Sequence, residues 1–345
     1  MKKQLLGLCM VTAAVGVSAQ SVEIFGTVDA GFARLSGNGV SKTGVSTGGA
    51  NISRLGFRGT EDMGGGLKAG FWLEAGMDVD SGQGKTAGVG GLSFNRRSTV
   101  SVMGGFGEIR LGRDDTPTFL STLIFDPFLT NGVGGTMAFA MQGIPGAPGA
   151  PIQYSNTVGY HTPQNLGGFY GQLQYGFGEA ASNAAYNKAG NYAGLRAGYR
   201  TGALNLAIAA AKMNGATAAA DNDIANFGAS YDFGVVKPMF LYASEKVNSV
   251  KISAMQFGFT APMGAGQLRA SYGKYDTSTN NADWSKLAIG YGYNLSKRTQ
   301  VYGAIARISN KDGAQKSIAP QGMTATGTSL GGSASGVDIG IRRFF

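Results

Sequence analysis

Arg54 and Arg58 stand four residues apart in the stretch Asn51-Ile52-Ser53-Arg54-Leu55-Gly56-Phe57-Arg58-Gly59. If that stretch is extended, Leu55 and Phe57 take one face and both guanidinium groups take the other. At roughly 3.3 Å per residue they are then about 13 Å apart along the strand. Further on come the adjacent Arg96 and Arg97, Arg110 two residues after Glu108, and Lys68 on the alternating face that ends at Glu74. A guanidinium keeps its proton, and its planar fork matches carboxylates and phosphates. A row of them therefore handles anions by attraction rather than by proton transfer. Glu74 and Asp126 are the acids placed to stand opposite. Charges of both signs across a narrow passage set a transverse field that orients dipolar solutes, while an arginine excess admits anions.

Other chemistry has little to draw on. His161 is the single histidine and Cys9 the single cysteine. Histidine-based triads, multi-histidine metal sites and thiolate sites are excluded on that ground. No catalytic residue, cofactor or metal is expected. A barrel enzyme such as a phospholipase would need a catalytic constellation, and the lone His161 lies beside Thr162-Pro163 at a short turn, poorly placed for a lipid substrate.

The N-terminus reads as a secretory signal peptide. Lys2 and Lys3 precede an apolar stretch from Leu5 to Val17 and the small-residue site Val17-Ser18-Ala19. Cleavage after Ala19 is expected, so that residues 1–19 are leader and 20–345 one domain. The apolar run is too short for a membrane anchor, and bulky Leu8 before Cys9 argues against lipidation. The net charge of +9 becomes +7 once Lys2 and Lys3 are removed. Nucleic acid is not the expected partner of an exported chain. A positively lined channel for small hydrophilic and anionic solutes is the better use of the charge.

Positioning the arginines falls to strands. Apolar residues make up 43% of the chain, yet no segment beyond the leader is apolar enough for a membrane helix. Sixteen alternating segments can be counted. At 169–177, Phe169, Gly171, Leu173, Tyr175 and Phe177 oppose Tyr170, Gln172, Gln174 and Gly176. The stretches 225–233, 267–273 and 286–293 split the same way, with Phe227, Tyr272 and Ile289 on the apolar faces. A soluble sandwich or secreted adhesin would alternate too. Against it, aromatics collect near segment ends on the apolar face, and connections alternate between short and long. Glu61–Gly66, Gly104–Gly107, Pro163–Gly168, Gly234–Val235 and Ala261–Gly266 are short. Leu35–Ala50, Met77–Leu92, Asp115–Ala150 and Ser309–Ser335 are long. The expected fold is all-β: a 16-stranded antiparallel transmembrane β-barrel enclosing water.

Asp115–Ala150, the longest connection, carries Phe119, Leu120, Leu123, Ile124, Phe125, Phe128 and Leu129. So much apolar surface is costly outside, and folding into the lumen would hide it and narrow the pore. Arg54 and Arg58 belong inside because an arginine facing lipid at mid-membrane costs about 2–4 kcal/mol. Ile109 and Leu111 facing lipid would leave Arg110 in the lumen. Strict alternation puts one guanidinium of Arg96-Arg97 on each face, unless the pair lies above the membrane.

Val22–Gly31, Ser53–Glu61, Phe94-Asn95-Arg96-Arg97, Leu111-Gly112-Arg113, Asp126-Pro127-Phe128, Asn156–Tyr160 and the terminal Phe345 are spread from one end of the mature chain to the other. In their order and spacing the chain resembles the general porins of Gram-negative bacteria, of the kind found in Burkholderia, Comamonas, Bordetella and Neisseria relatives. That resemblance implies a homotrimer and an infolded third loop forming the constriction. It implies a site in the outer membrane, among outer-membrane lipid and lipopolysaccharide. It also implies that terminal Phe345 serves as the signal read by the barrel-assembly machinery. Arg54 and Arg96 match two pore arginines of the family. A third basic position falls at Gln153, which implies weaker anion preference than the family's strongest examples. No aromatic slide is evident, so a general pore is preferred to a substrate-specific channel.

Overall fold

A computed structural model describes residues 21–84, 91–138, 149–279 and 281–345. The signal peptide expected over 1–19 lies outside the described residues, as do parts of two long connections. The strands are β1 (Ser21–Gly37), β2 (Val40–Thr47), β3 (Arg54–Gly64), β4 (Leu67–Asp78), β5 (Gln83–Gly84), β6 (Arg97–Gly104), β7 (Gly107–Asp115), β8 (Gln153–His161) and β9 (Phe169–Gly176). They continue as β10 (Tyr192–Thr201), β11 (Leu204–Met213), β12 (Asn222–Tyr231), β13 (Lys237–Val247), β14 (Val250–Met263), β15 (Gly266–Thr277), β16 (Trp284–Asn294), β17 (Thr299–Asn310) and β18 (Ser333–Phe344). Every strand pairing is antiparallel, and β18 returns to β1 with Thr27 opposite Phe344 and Gly37 opposite Ala334. The sheet is closed.

Eighteen segments fill sixteen positions. Both β2 and β3 pair with β1, and both β5 and β6 pair with β4. The long loop expected over Leu35–Ala50 is instead a hairpin, whose turn is Asn38-Gly39 with φ of 52° and 72°. Both residues must leave the usual φ range there, and Asn-Gly is the pair that does so at least cost.

One end of the barrel carries only tight connections, none longer than the seven residues 162–168. The opposite, long-loop end carries the segments 116–152 and 311–332, together with the two-residue turn Asn248-Ser249.

Alternation along each strand sorts side chains as the residue types demand. Leu173, Phe227, Tyr272, Leu287, Ile289 and Ile339 are exposed on the outside. On the other face Gln172, Gln174, Asn226, Lys286 and Asp338 are buried. A continuous exposed apolar belt of this size belongs against lipid. Rings gather at its edge: Phe169 packs on Tyr199 at 4.7 Å and Tyr231 on Phe233 at 4.6 Å, both near the short-turn end.

The inner face is not polar throughout. Leu241, Ile252, Tyr275, Trp284 and Ile308 turn inward and form a buried cluster with Phe125, Phe128 and Val133 of segment 116–138 and with Ile318 of segment 311–332. Segment 116–138 opens with the helix α1 (Pro117–Ile124), capped by Thr116, whose Oγ1 accepts from the Phe119 N–H at 3.3 Å. Inner-face side chains of five strands then hold it. Asn226 donates to the Thr118 carbonyl at 2.9 Å and Gln256 to Asp126 at 3.1 Å. Lys286 donates to the Gly135 carbonyl, Val133 N–H to Asp338 at 3.0 Å, and Met137 N–H to the Tyr275 hydroxyl at 3.1 Å.

Candidate functional site

Opposite that buried cluster, β3, β4, β6 and β7 form the wall that carries the arginines. Arg54 opens β3 and Glu74 lies across from Gly56 on β4, so both point inward. Glu74 Oε1 is 2.6 Å from Arg96 Nε and 3.6 Å from an Arg54 guanidinium nitrogen. Its other oxygen accepts from the Trp72 indole at 3.1 Å. Arg54, Arg58, Arg96, Arg97, Glu74 and Asp115 line one face of a cavity of about 400 Å³. Phe119, Leu123, Leu129, Thr130 and Asn131 of the long segment line the other.

A second cavity, of about 370 Å³, follows toward the short-turn end and shares Arg58, Trp72 and Arg97 with the first. Trp72 stands between two guanidinium groups: Arg97 lies 4.5 Å and Arg58 4.9 Å from its ring centre. Such contacts contribute on the order of 1 kcal/mol each and fix the cations in place. Arg58 also lies 5.0 Å from the Phe25 ring and is gripped by Glu23 through two bonds of 2.8 and 2.9 Å. Arg110 donates two bonds to Glu108, at 2.7 and 2.8 Å, and one to Asp114 at 2.9 Å.

The structure departs from the sequence expectations at several residues. Arg96 and Arg97 do not divide between the faces. Arg97 is the first residue of β6 while Arg96 precedes it in irregular chain, where alternation has no hold, and both line the same cavity. Lys68 shares a strand face with Glu74 but lies at the other end of it, by the turn at Gly65-Gly66. Six residues, about 20 Å of strand, separate the two; Lys68 is exposed and lines neither cavity. Asp126 does not face the arginines. It is fully buried and accepts from Thr130 N–H at 2.7 Å, Thr136 N–H at 2.9 Å, Phe128 N–H at 3.3 Å and the Gln256 amide. Burial pushes its carboxyl up from the ordinary range, against the pull of these bonds and of Lys286. Asp126 is thus the knot of the long segment.

Beside Glu74, the acid that faces the arginines is Asp115, which sequence reasoning treated only as the start of a loop. Gln153 donates to it at 2.6 Å. Glu23 and Asp114 were missed as well. Glu23 of β1 meets its arginine only through the sheet, lying across from Arg58 of β3, whereas Asp114 is four residues from Arg110 on the same strand β7, a local spacing that could have revealed it. Trp72 had a signal, since an indole on the Glu74 face of a strand cannot be facing lipid. Five arginines (54, 58, 96, 97, 110) here meet five carboxylates (23, 74, 108, 114, 115). At the seam, Phe345 exchanges backbone hydrogen bonds with Gly26, both of 3.2 Å. Among the described residues no group of three or more His, Cys, Asp or Glu is arranged to hold a metal ion.

Comparison with known proteins agrees with this geometry. A family model described as Gram-negative porin matches residues 7–313. Outer membrane porin protein 32 of Delftia acidovorans is 38% identical over 357 aligned residues, covering 100% of both chains. An outer membrane porin protein of Bordetella pertussis is 27% identical, covering 88% of this chain and 93% of the relative. Among solved structures, an anion-selective porin from Comamonas acidovorans superposes with a TM-score of 0.86 at 38% identity. That match covers 94% of this chain and 100% of the other.

Proposed function

The chain belongs to the Gram-negative porin family, and we propose that it works as a passive, water-filled channel of the outer membrane for small hydrophilic solutes, with anions preferred. One observation carries this reading: the arginine-lined cavity between the β3–β7 wall and the segment 119–131. In a closed barrel that segment, held on the inner face by five strands, acts as an infolded loop and narrows the passage to the space in front of Arg54 and Arg96. A solute crossing there passes four guanidinium groups and two carboxylates. The local excess of two positive charges favours anions, and the fixed Arg–Trp–Arg stack keeps the field oriented.

The short-turn end lies toward the periplasm and the long loops toward the outside, as in an up-and-down outer-membrane barrel. A homotrimer in lipid and lipopolysaccharide is the assembly we infer, with Phe345, at the seam of the barrel, serving the assembly machinery. Liposome swelling tests the channel itself. Vesicles holding the purified protein should admit small uncharged sugars, and admit organic anions faster than organic cations of equal size. Vesicles that stay tight to all three classes would refute the reading.

A further inference from the structure

The sequence Arg54-Leu55-Gly56-Phe57-Arg58 has a counterpart on another part of the wall, Arg196-Ala197-Gly198-Tyr199-Arg200. Both run toward the short-turn end, and both place two arginines and a central glycine on the inner face. In each, an aromatic ring from the preceding strand position occupies the space over the glycine. Phe25 lies across from Gly56, and Tyr170 lies across from Gly198. A Cβ on Gly56 would come within 2.3 Å of the Phe25 ring, and one on Gly198 within 2.1 Å of the Tyr170 ring. Only glycine lets the ring lie against the wall between the flanking arginines.

The two copies differ in their acids. Arg58 is gripped by Glu23 and Arg54 by Glu74. Arg196 and Arg200 lie 5.3 and 5.9 Å from the Tyr170 ring centre, and neither makes an ion pair among the described residues. The buried Arg196 Nε–H has no acceptor. The ring itself is pinned, its hydroxyl donating to Asn205 at 2.9 Å. Two guanidinium groups over a fixed aromatic floor, with no carboxylate to satisfy them, are arranged for an incoming oxyanion.

We propose that Arg196 and Arg200, held over Tyr170 beside Gly198, form a binding station for small oxyanions, carboxylate or phosphate, on the short-turn side of the barrel. It is distinct from the acid-balanced group at Arg54–Arg110. The station rests on the channel reading: an anion that clears the narrow passage is received there before release.

Planar bilayers holding the full-length mature protein, in dilute KCl with inorganic phosphate or succinate added in separate runs, test this. In the unaltered channel either oxyanion should reduce chloride current at low concentration. R196Q/R200Q should raise the half-blocking concentration about tenfold, while Lys68→Gln, at an exposed position that lines neither cavity, leaves it unchanged. If R196Q/R200Q yields no heat-modifiable band on gels, the single variant Arg200→Gln, at an exposed position, carries the test with a shift of about threefold. Block that is unchanged in the arginine variants, or abolished by Arg54→Gln alone, overturns the station. Absence of any current from the unaltered protein overturns the channel reading instead, and the station with it.

Discussion

Replacing Glu74 by Gln removes one negative charge from the narrow passage while keeping the side chain's shape. Glu74 is the carboxylate that Arg96 and Arg54 share, at 2.6 and 3.6 Å, and it faces the cavity they line. With it gone, four arginines there confront Asp115 alone, and the local excess rises from two to three. An ion passing about 5 Å from the lost charge feels a change of about 0.8 kcal/mol at the dielectric constant of water. Screening over a Debye length of about 8 Å at physiological salt roughly halves that. About 0.4 kcal/mol gives each ion a factor of about two, favourable for chloride and unfavourable for potassium, so the permeability ratio should rise about fourfold. Reversal potential in a KCl gradient reads this ratio directly, and the gain should shrink as salt is raised. A ratio that falls, or stays put at low salt, would mean that ions do not pass in front of Glu74.

Two further substitutions and one deletion probe the rest of the design. Asp126→Ala deprives three backbone N–H groups of their acceptor at roughly 1–3 kcal/mol each. It should lower the melting temperature in detergent and make single-channel current noisier; unaltered melting would remove Asp126 from its anchoring role. Gly228→Val drives a side chain into the Phe125 ring, which a Cβ would already meet at 1.9 Å. The displaced loop should leave a larger single-channel conductance, and an unchanged conductance would separate the loop from the narrow passage. Deleting Phe345 removes its backbone pairing with Gly26 at the seam. Heat-modifiable protein in outer-membrane fractions should drop severalfold, whereas normal recovery would deny Phe345 an assembly role.

The faces of the strands were legible because period-two alternation is local: Leu173 and Ile289 outside, Gln172 and Lys286 inside follow from neighbours alone. Arg54 and Arg58 were placed for the same reason. Arg96 was not, since it stands just outside β6, where no periodicity constrains it. The acids were the harder part. Glu23 and Arg58 are 35 residues apart and meet only because β1 and β3 are neighbours, which no window of sequence contains. Asp126 looked like a pore acid because it stands on the long loop expected to fold into the lumen opposite the arginines, but its oxygens are consumed by the loop's own N–H groups. The buried patch inside the barrel was hidden by the same alternation that revealed the strands. Leu241, Ile252 and Trp284 sit on inner positions, and only the long segment packed against them explains why they are apolar.

Most direct of all is the zero-current potential of the unmodified protein across a planar bilayer separating concentrated from dilute KCl. Its sign should show chloride crossing more readily than potassium, and ohmic single channels should carry the current. A potential of the opposite sign, or a bilayer that stays electrically silent after reconstitution, would contradict an arginine-lined aqueous passage through this barrel.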